Sequence, residues 1–213
     1  MKKSVYSIVL ADDIIKAVDR EAARSGTSRS NLINQILAER LSCITPEMRM
    51  RDIFGSLSAL TEGNFQIERQ RSASLMILRT ALDFKYRPTI NYRVELERSP
   101  EGTIGTLRVS IRTMNSRLVE MFESFFLYWR AMESVYLQNV RYDGQLSEIA
   151  PAYFARKLLN TGLDHEDTAK AISCYLDTLN RALQTFFSDP SCLNDYSPWL
   201  EEQYRIMTEK FII

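Results

Sequence analysis

The sequence predicts a mainly α chain with an α+β C-terminal part. Three patterns carry that reading. Over residues 14–41 apolar side chains recur every three to four positions, as on one face of a helix. From about residue 75 to 112 they alternate with polar ones, the period of a half-buried strand. Between 115 and 138 they occupy nearly the whole helical wheel, as in a helix buried on more than one side.

The first forty residues read as a strand and two helices. Residues 5–10 put Tyr6, Ile8 and Leu10 on one face of a short strand and Val5, Ser7 and Val9 on the other. A lone strand of this length needs a partner, and no second strand follows closely enough for a hairpin. Asp12 and Asp13 then open a helix, where either offsets the positive end of the dipole. Ile14, Val18 and Ala22 form its stripe, with Ile15 beside them, and Gly26 suits the left-handed position after its end. Ser28, with Thr27 next best, caps a second helix whose apolar face is Leu32, Ile33, Ile36, Leu37 and Leu41. The first turn of that helix offers free N–H groups beside Arg29, Ser30 and Asn31, a set of donors suited to phosphate.

Bulk properties are those of a water-exposed globular chain. Hydrophobic residues make up 45% and charged residues 25%, and the net charge is zero. The distribution is slightly uneven: seven Lys/Arg stand against five Asp/Glu in residues 1–45, and fifteen against eighteen in residues 81–213. Cys43, Cys174 and Cys192 are too far apart for a metal or redox pair and suit reduced thiols in a cytosol. The longest apolar cluster, Phe125 to Trp129, is too short to span a bilayer and is flanked by Glu123 and Arg130. A cytoplasmic, nucleoid-associated location without membrane contact is expected.

Two short motifs sharpen the N-terminal reading. Leu10-Ala11-Asp12-Asp13-Ile14, then Ser25-Gly26-Thr27-Ser28-Arg29-Ser30, resembles the ribbon-helix-helix family of bacterial DNA-binding proteins. Members commonly read Leu-Pro-Asp-Glu-Leu at the first motif and Gly-x-Ser-[Arg/Lys]-Ser at the second. The resemblance covers about forty residues. It implies an intertwined β-α-α dimer whose two strands pair into an antiparallel ribbon and enter the major groove. By position, the base readers would be Lys3, Val5, Ser7 and Val9, and the phosphate clamp Ser28, Arg29, Ser30 and Asn31. Family members usually place polar residues on the reading face. Val5 and Val9 depart from that, since valine touches a thymine methyl but makes no bidentate hydrogen bond.

A boundary at residues 42–45 divides the chain into a 1–44 DNA-binding and dimerisation domain and a 45–213 domain for sensing, oligomerisation or partner binding. Thr45-Pro46-Glu47 is a helix start, followed by Met50, Ile53, Phe54, Leu57 and Leu60 at helical spacing and Gly63 as the stop. The alternation then predicts a three-stranded antiparallel meander: Leu82, Phe84 and Tyr86; Ile90, Tyr92, Val94 and Leu96; Leu107, Val109 and Ile111. Its wet face is rich in arginine. Pairing with Glu95, Glu97 and Asp83 is the favoured account, and an anion-binding surface the other. The aromatic helix over 115–138 reads as core or interface before it reads as a ligand pocket. Further helices are expected over about 150–160, 164–187 and 197–211.

Catalytic chemistry is not legible. His165 lies in Asp164-His165-Glu166-Asp167, which reads as a cap and an acidic first turn rather than a metal cluster. No phosphate loop, zinc spacing or triad stands out. The chain is therefore expected to be no enzyme, with no cofactor, metal site or catalytic residue. The function expected is that of a dimeric DNA-binding transcriptional regulator, a repressor by class. Its partners would be duplex DNA, a second copy of itself, and an effector protein or small molecule at the C-terminal domain. The alternative is a protein-interaction role, such as an antitoxin or a plasmid partition or transfer accessory.

Overall fold

A computed structural model describes residues 7–68, 72–138, 140, 142–188 and 193–213. The chain divides into two compact units, residues 1–49 and 50–213. Along the chain run helices α1 (Asp12–Arg24), α2 (Arg29–Arg40) and α3 (Pro46–Thr61). Strands β1 (Gln66–Ile67), β2 (Leu75–Ala81), β3 (Thr89–Leu96) and β4 (Thr103–Ile111) follow, then α4 (Ser116–Tyr136). Strands β5 (Ser147–Ala150) and β6 (Tyr153–Leu159) and helices α5 (His165–Ser188) and α6 (Leu193–Lys210) complete it.

Among the described residues the first element is a helix, which corrects the expected β-α-α start. Residues 7–11 form no strand, and Lys3 and Val5 lie outside the described residues. A strand is held by a ladder, and among the described residues of the unit no strand lies beside Ser7 to Leu10. Val9 is fully exposed and Ile8 is 60% exposed. The intertwined ribbon is therefore not the fold described here. The two helices do form, and both end in Schellman motifs. After α1, Thr27 N–H donates to Ala22 O and Gly26, at φ 61°, to Ala23 O. After α2, Cys43 N–H donates to Ala38 O, and Ser42 takes the left-handed position at φ 54°.

In the second unit the correction is larger. It is an α+β body with a six-stranded antiparallel sheet in the order β1-β2-β3-β4-β6-β5, not a three-stranded meander within a mainly α fold. The meander's first strand is β2, seven residues earlier than the alternation at Leu82, Phe84 and Tyr86 implies. Residues 82–88 instead form the connection to β3, with Leu82 N–H donating to Pro88 O and with Tyr86 and Arg87 at positive φ. Alternation of apolar and polar residues continued through a turn, so the pattern could not mark the strand's end.

The helix expected over 150–160 is strand β6. Its sequence, Tyr-Phe-Ala-Arg-Lys-Leu-Leu, is rich in good helix formers. It lies between β4 and β5, a central position that buries both faces and removes the alternation that marks an edge strand. Tertiary pairing overrides propensity there.

The inner face of the sheet is covered by helices. Phe126 of α4 stacks on Phe154 of β6, with centroids 4.2 Å apart. Asn180 of α5 accepts from Tyr92 on β3 and Thr80 on β2, and Gln184 donates to Ala81 O. From α3, Met50, Ile53, Phe54 and Leu57 join the same core. The chain end is docked: Ile213 is buried, and Thr161 donates to Ile212 O. At the β3–β4 pairing, Gly105 sits against Glu95, and a Cβ there would lie 2.2 Å from the Glu95 carbonyl oxygen. Only glycine allows that approach.

Candidate functional site

The start of α2 is built as a capped helix end. Ser28 is extended at the N-cap, and its Oγ accepts from Asn31 N–H at 3.2 Å. Ser28, Arg29 and Ser30 are exposed, and Asn31 is half-buried. Arg29 is engaged: its guanidinium forms an ion pair with Asp19 of α1, including an Nη2–Oδ2 hydrogen bond of 2.7 Å. Exposed pairs of this kind are worth about 0–1 kcal/mol. The structure thus brings Ser28, Arg29, Ser30 and Asn31 together on one helical turn. It leaves Ser7 and Val9 exposed on the chain before α1, and Lys3 and Val5 lie outside the described residues.

The same unit carries an uncovered apolar face. Its buried apolar residues are Ala22, Leu32 and Ala38, whereas Ile14, Ile15, Ile36, Leu37 and Leu41 are exposed. A groove of about 450 Å³ runs between α1 and α2, lined by Ile14, Ala17, Val18, Leu32 and Ile36, with Asp13 and Glu21 also along it.

On the outer face of the six-stranded sheet the arginines are mostly paired. Arg108 pairs with Glu95, and Arg79 with Glu68 at 2.9 Å and with the side chain of Asn91. Arg93 lies directly opposite Arg108 in the ladder, an unfavourable placement of like charges.

Sequence reasoning missed a buried polar cluster. Glu133 of α4 and Arg156 of β6 are 2% and 1% exposed, and Arg156 Nε donates to Glu133 Oε1 at 2.8 Å. Tyr175 and Tyr204 each donate to the same oxygen at 2.9 Å, and Trp129 Nε1 donates to the Tyr175 hydroxyl at 2.8 Å. The guanidinium also lies over the Tyr175 ring, 4.5 Å from its centroid. Burial and the Glu133 carboxylate hold both tyrosine hydroxyls well above their ordinary pKa, so they remain donors. Burial alone would lower Arg156; the charge of Glu133 and the two phenols outweigh it and raise it. A signal was present: Glu133 is an acid on the same helical stripe as Trp129 and Tyr136, and a charge on a greasy stripe implies a buried partner.

Asp164 acts as the cap of α5, accepting from Asp167 N–H at 2.8 Å, and His165 lies 3.9 Å from Asp52. Among the described residues no helix is long and apolar enough to cross a membrane. No protein-family model matches the chain, and no curated protein or solved structure matches it either.

Proposed function

We propose that the chain is a DNA-binding regulator that grips duplex phosphate through the first turn of α2. The observation that carries the reading is the convergence there of free backbone N–H groups, the Ser28 cap, the Arg29 guanidinium and the Ser30 hydroxyl. Arg29 is held in place by Asp19, a partner weak enough to yield to phosphate. The second unit, which has its own large core, would be the sensing or partner-binding part. The apolar face of the helix pair supports self-association, because fewer than fifty residues, with three buried apolar side chains among the described ones, make a marginal unit alone.

A second reading rests on the groove between α1 and α2. Asp13 and Glu21 lie along it and would repel phosphate, so this face suits a protein helix with basic edges rather than DNA. In that case the helix pair docks a partner.

Titration of duplex DNA at several salt concentrations separates the two. The first reading expects log affinity to fall with log salt by about 0.9 per phosphate contacted. It expects Arg29→Ala to weaken all duplexes alike, with Leu37→Glu reducing the oligomer mass in light scattering. Salt-insensitive or absent duplex binding, together with capture of a peptide helix in the groove, favours the second.

A further inference from the structure

One end of the six-stranded sheet collects cations without partners. Thr89 pairs with Ala81 and Ile90 with Ile111, so residues 82–88 and 112–115 leave the sheet at the same end. Lys85, Arg87, Arg112 and Arg117 there are all exposed, and none makes an ion pair among the described residues. The acids of the same stretches are Asp83 and Glu120. On the sheet's outer face, by contrast, Arg79 and Arg108 are paired with Glu68 and Glu95. Helix α4 starts at this end with Asn115 as its cap, and its first turn holds Arg117 and no acid. The positive end of its dipole therefore adds to the cations instead of being offset.

The same end holds an aromatic ring in water. Tyr86 has φ 66° and Arg87 φ 42°, left-handed conformations that glycine or asparagine takes more readily. Arg87 N–H closes the turn on Phe84 O at 2.8 Å. Tyr86 is 89% exposed, and Lys85 Nζ lies over one side of its ring, 5.2 Å from the centroid. Met114, on the neighbouring segment, is fully exposed. Neither the left-handed backbone nor the exposed ring contributes to the stability of the fold, and such conformations gather where a ligand is held.

We propose that this end of the second unit binds single-stranded nucleic acid, with a base stacked on Tyr86 and phosphates on Arg87, Arg112 and Arg117. An aromatic face stacks on an unpaired base, which a single strand offers and a duplex keeps within its own stack. Arginine grips phosphate through its planar fork, and three of the four cations are arginine. Met114 gives a neighbouring base an apolar contact. An anionic membrane surface or an acidic peptide meets the same charges, but neither presents a flat π face to the ring. None of these residues belongs to the turn assigned to duplex phosphate.

The test is fluorescence anisotropy of the full chain with labelled single strands of about twelve thymidines or uridines. Binding is expected at about 1–100 μM protein in low salt, with log affinity falling with log salt by about 0.7 per phosphate contacted. Either strand supports the proposal, and the tighter one tells DNA from RNA. Tyr86→Gly should weaken binding about tenfold or more without lowering the melting temperature, since glycine suits φ 66°. Tyr86→Trp should bind like the parent, and a strand of abasic sugars of the same length about tenfold more weakly. Arg112→Ala and Arg117→Ala should each reduce the salt slope by about 0.7. Arg29→Ala should leave single-strand binding unchanged even as it weakens duplexes. No binding by either strand, equal binding of the abasic strand, Tyr86→Gly binding like the parent, or a loss in Arg29→Ala as large as in Tyr86→Gly overturns the proposal. So does tighter binding to phosphatidylserine vesicles or to a polyglutamate peptide, which would name a different partner. Absence of duplex binding bears only on the turn of α2.

Discussion

The two units handle the same kind of residue in opposite ways. In residues 1–49 the large apolar side chains Ile14, Ile15, Ile36 and Leu37 stand in water, and the buried ones are Ala22, Leu32 and Ala38. In residues 50–213 most large apolar side chains of α4, α5 and the sheet are packed out of water, Leu127 and Val135 of α4 being exceptions, and even an ion pair is enclosed. Local pattern is not the difference, for both units carry amphipathic helices. A second layer is. The sheet gives α4 and α5 a surface to cover, whereas among the described residues the unit of α1 and α2 holds no sheet. An apolar stripe is a request for a partner, and one unit meets it internally.

Four single substitutions and one double variant sharpen or break that contrast, from the largest effect to the smallest. Glu133→Ala leaves the Arg156 charge buried and unpaired, which should cost about 3–5 kcal/mol in denaturant unfolding of the second unit. The double variant Glu133→Leu/Arg156→Leu should recover most of that loss. A double variant as unstable as the single one would mean the cluster acts through packing, not charge. Gly105→Ala drives a Cβ into the Glu95 carbonyl, and a displaced β3 should cost about 1–3 kcal/mol in the urea midpoint.

The first unit should respond in the opposite direction to a backbone change. Ser42 holds a left-handed conformation at φ 54° without being glycine. Ser42→Gly should relieve about 1 kcal/mol of strain and slow amide exchange in α2, with no change in the second unit's melting. An equal shift in both units would show that they unfold as one body.

Asp177 offers the gentlest probe. Burial, partly offset by the Asn64 side chain and by Arg181, raises its pKa in the fold. A raised carboxylate pKa means the folded state holds the proton more tightly than the unfolded one. Asp177 therefore favours folding at low pH and works against it once the pH passes its folded pKa. Asp177→Asn should stabilise the second unit slightly at pH 7 and lose that advantage near pH 3. A flat difference across that range would remove the assignment to titration.

Parts of this molecule are legible in the sequence alone. The helix ends at Gly26 and Ser28, the Asp164 cap and the apolar faces of α4 and α5 follow from local chemistry: a left-handed turn, a free N–H, a wheel of aromatics. The capped first turn of α2, with Arg29, Ser30 and Asn31, was legible too, though the ion pair of Arg29 with Asp19 was not, because ten residues separate the partners. Strand β6 stayed hidden because a central strand buries both faces and so loses its alternation, and the turn at 82–88 stayed hidden because alternation ran through it.

What the sequence by itself determined is therefore local: where helices begin and end, and which faces need covering. The tertiary structure alone decided which strands lie side by side and that Glu133 meets Arg156, Tyr175 and Tyr204. It also decided that residues 7–11, with no ladder to join, remain outside any sheet. The physical reason is range. Caps and stripes are set within a turn or two of chain. Pairing and burial are set by residues dozens of positions apart, whose meeting depends on everything folded between them.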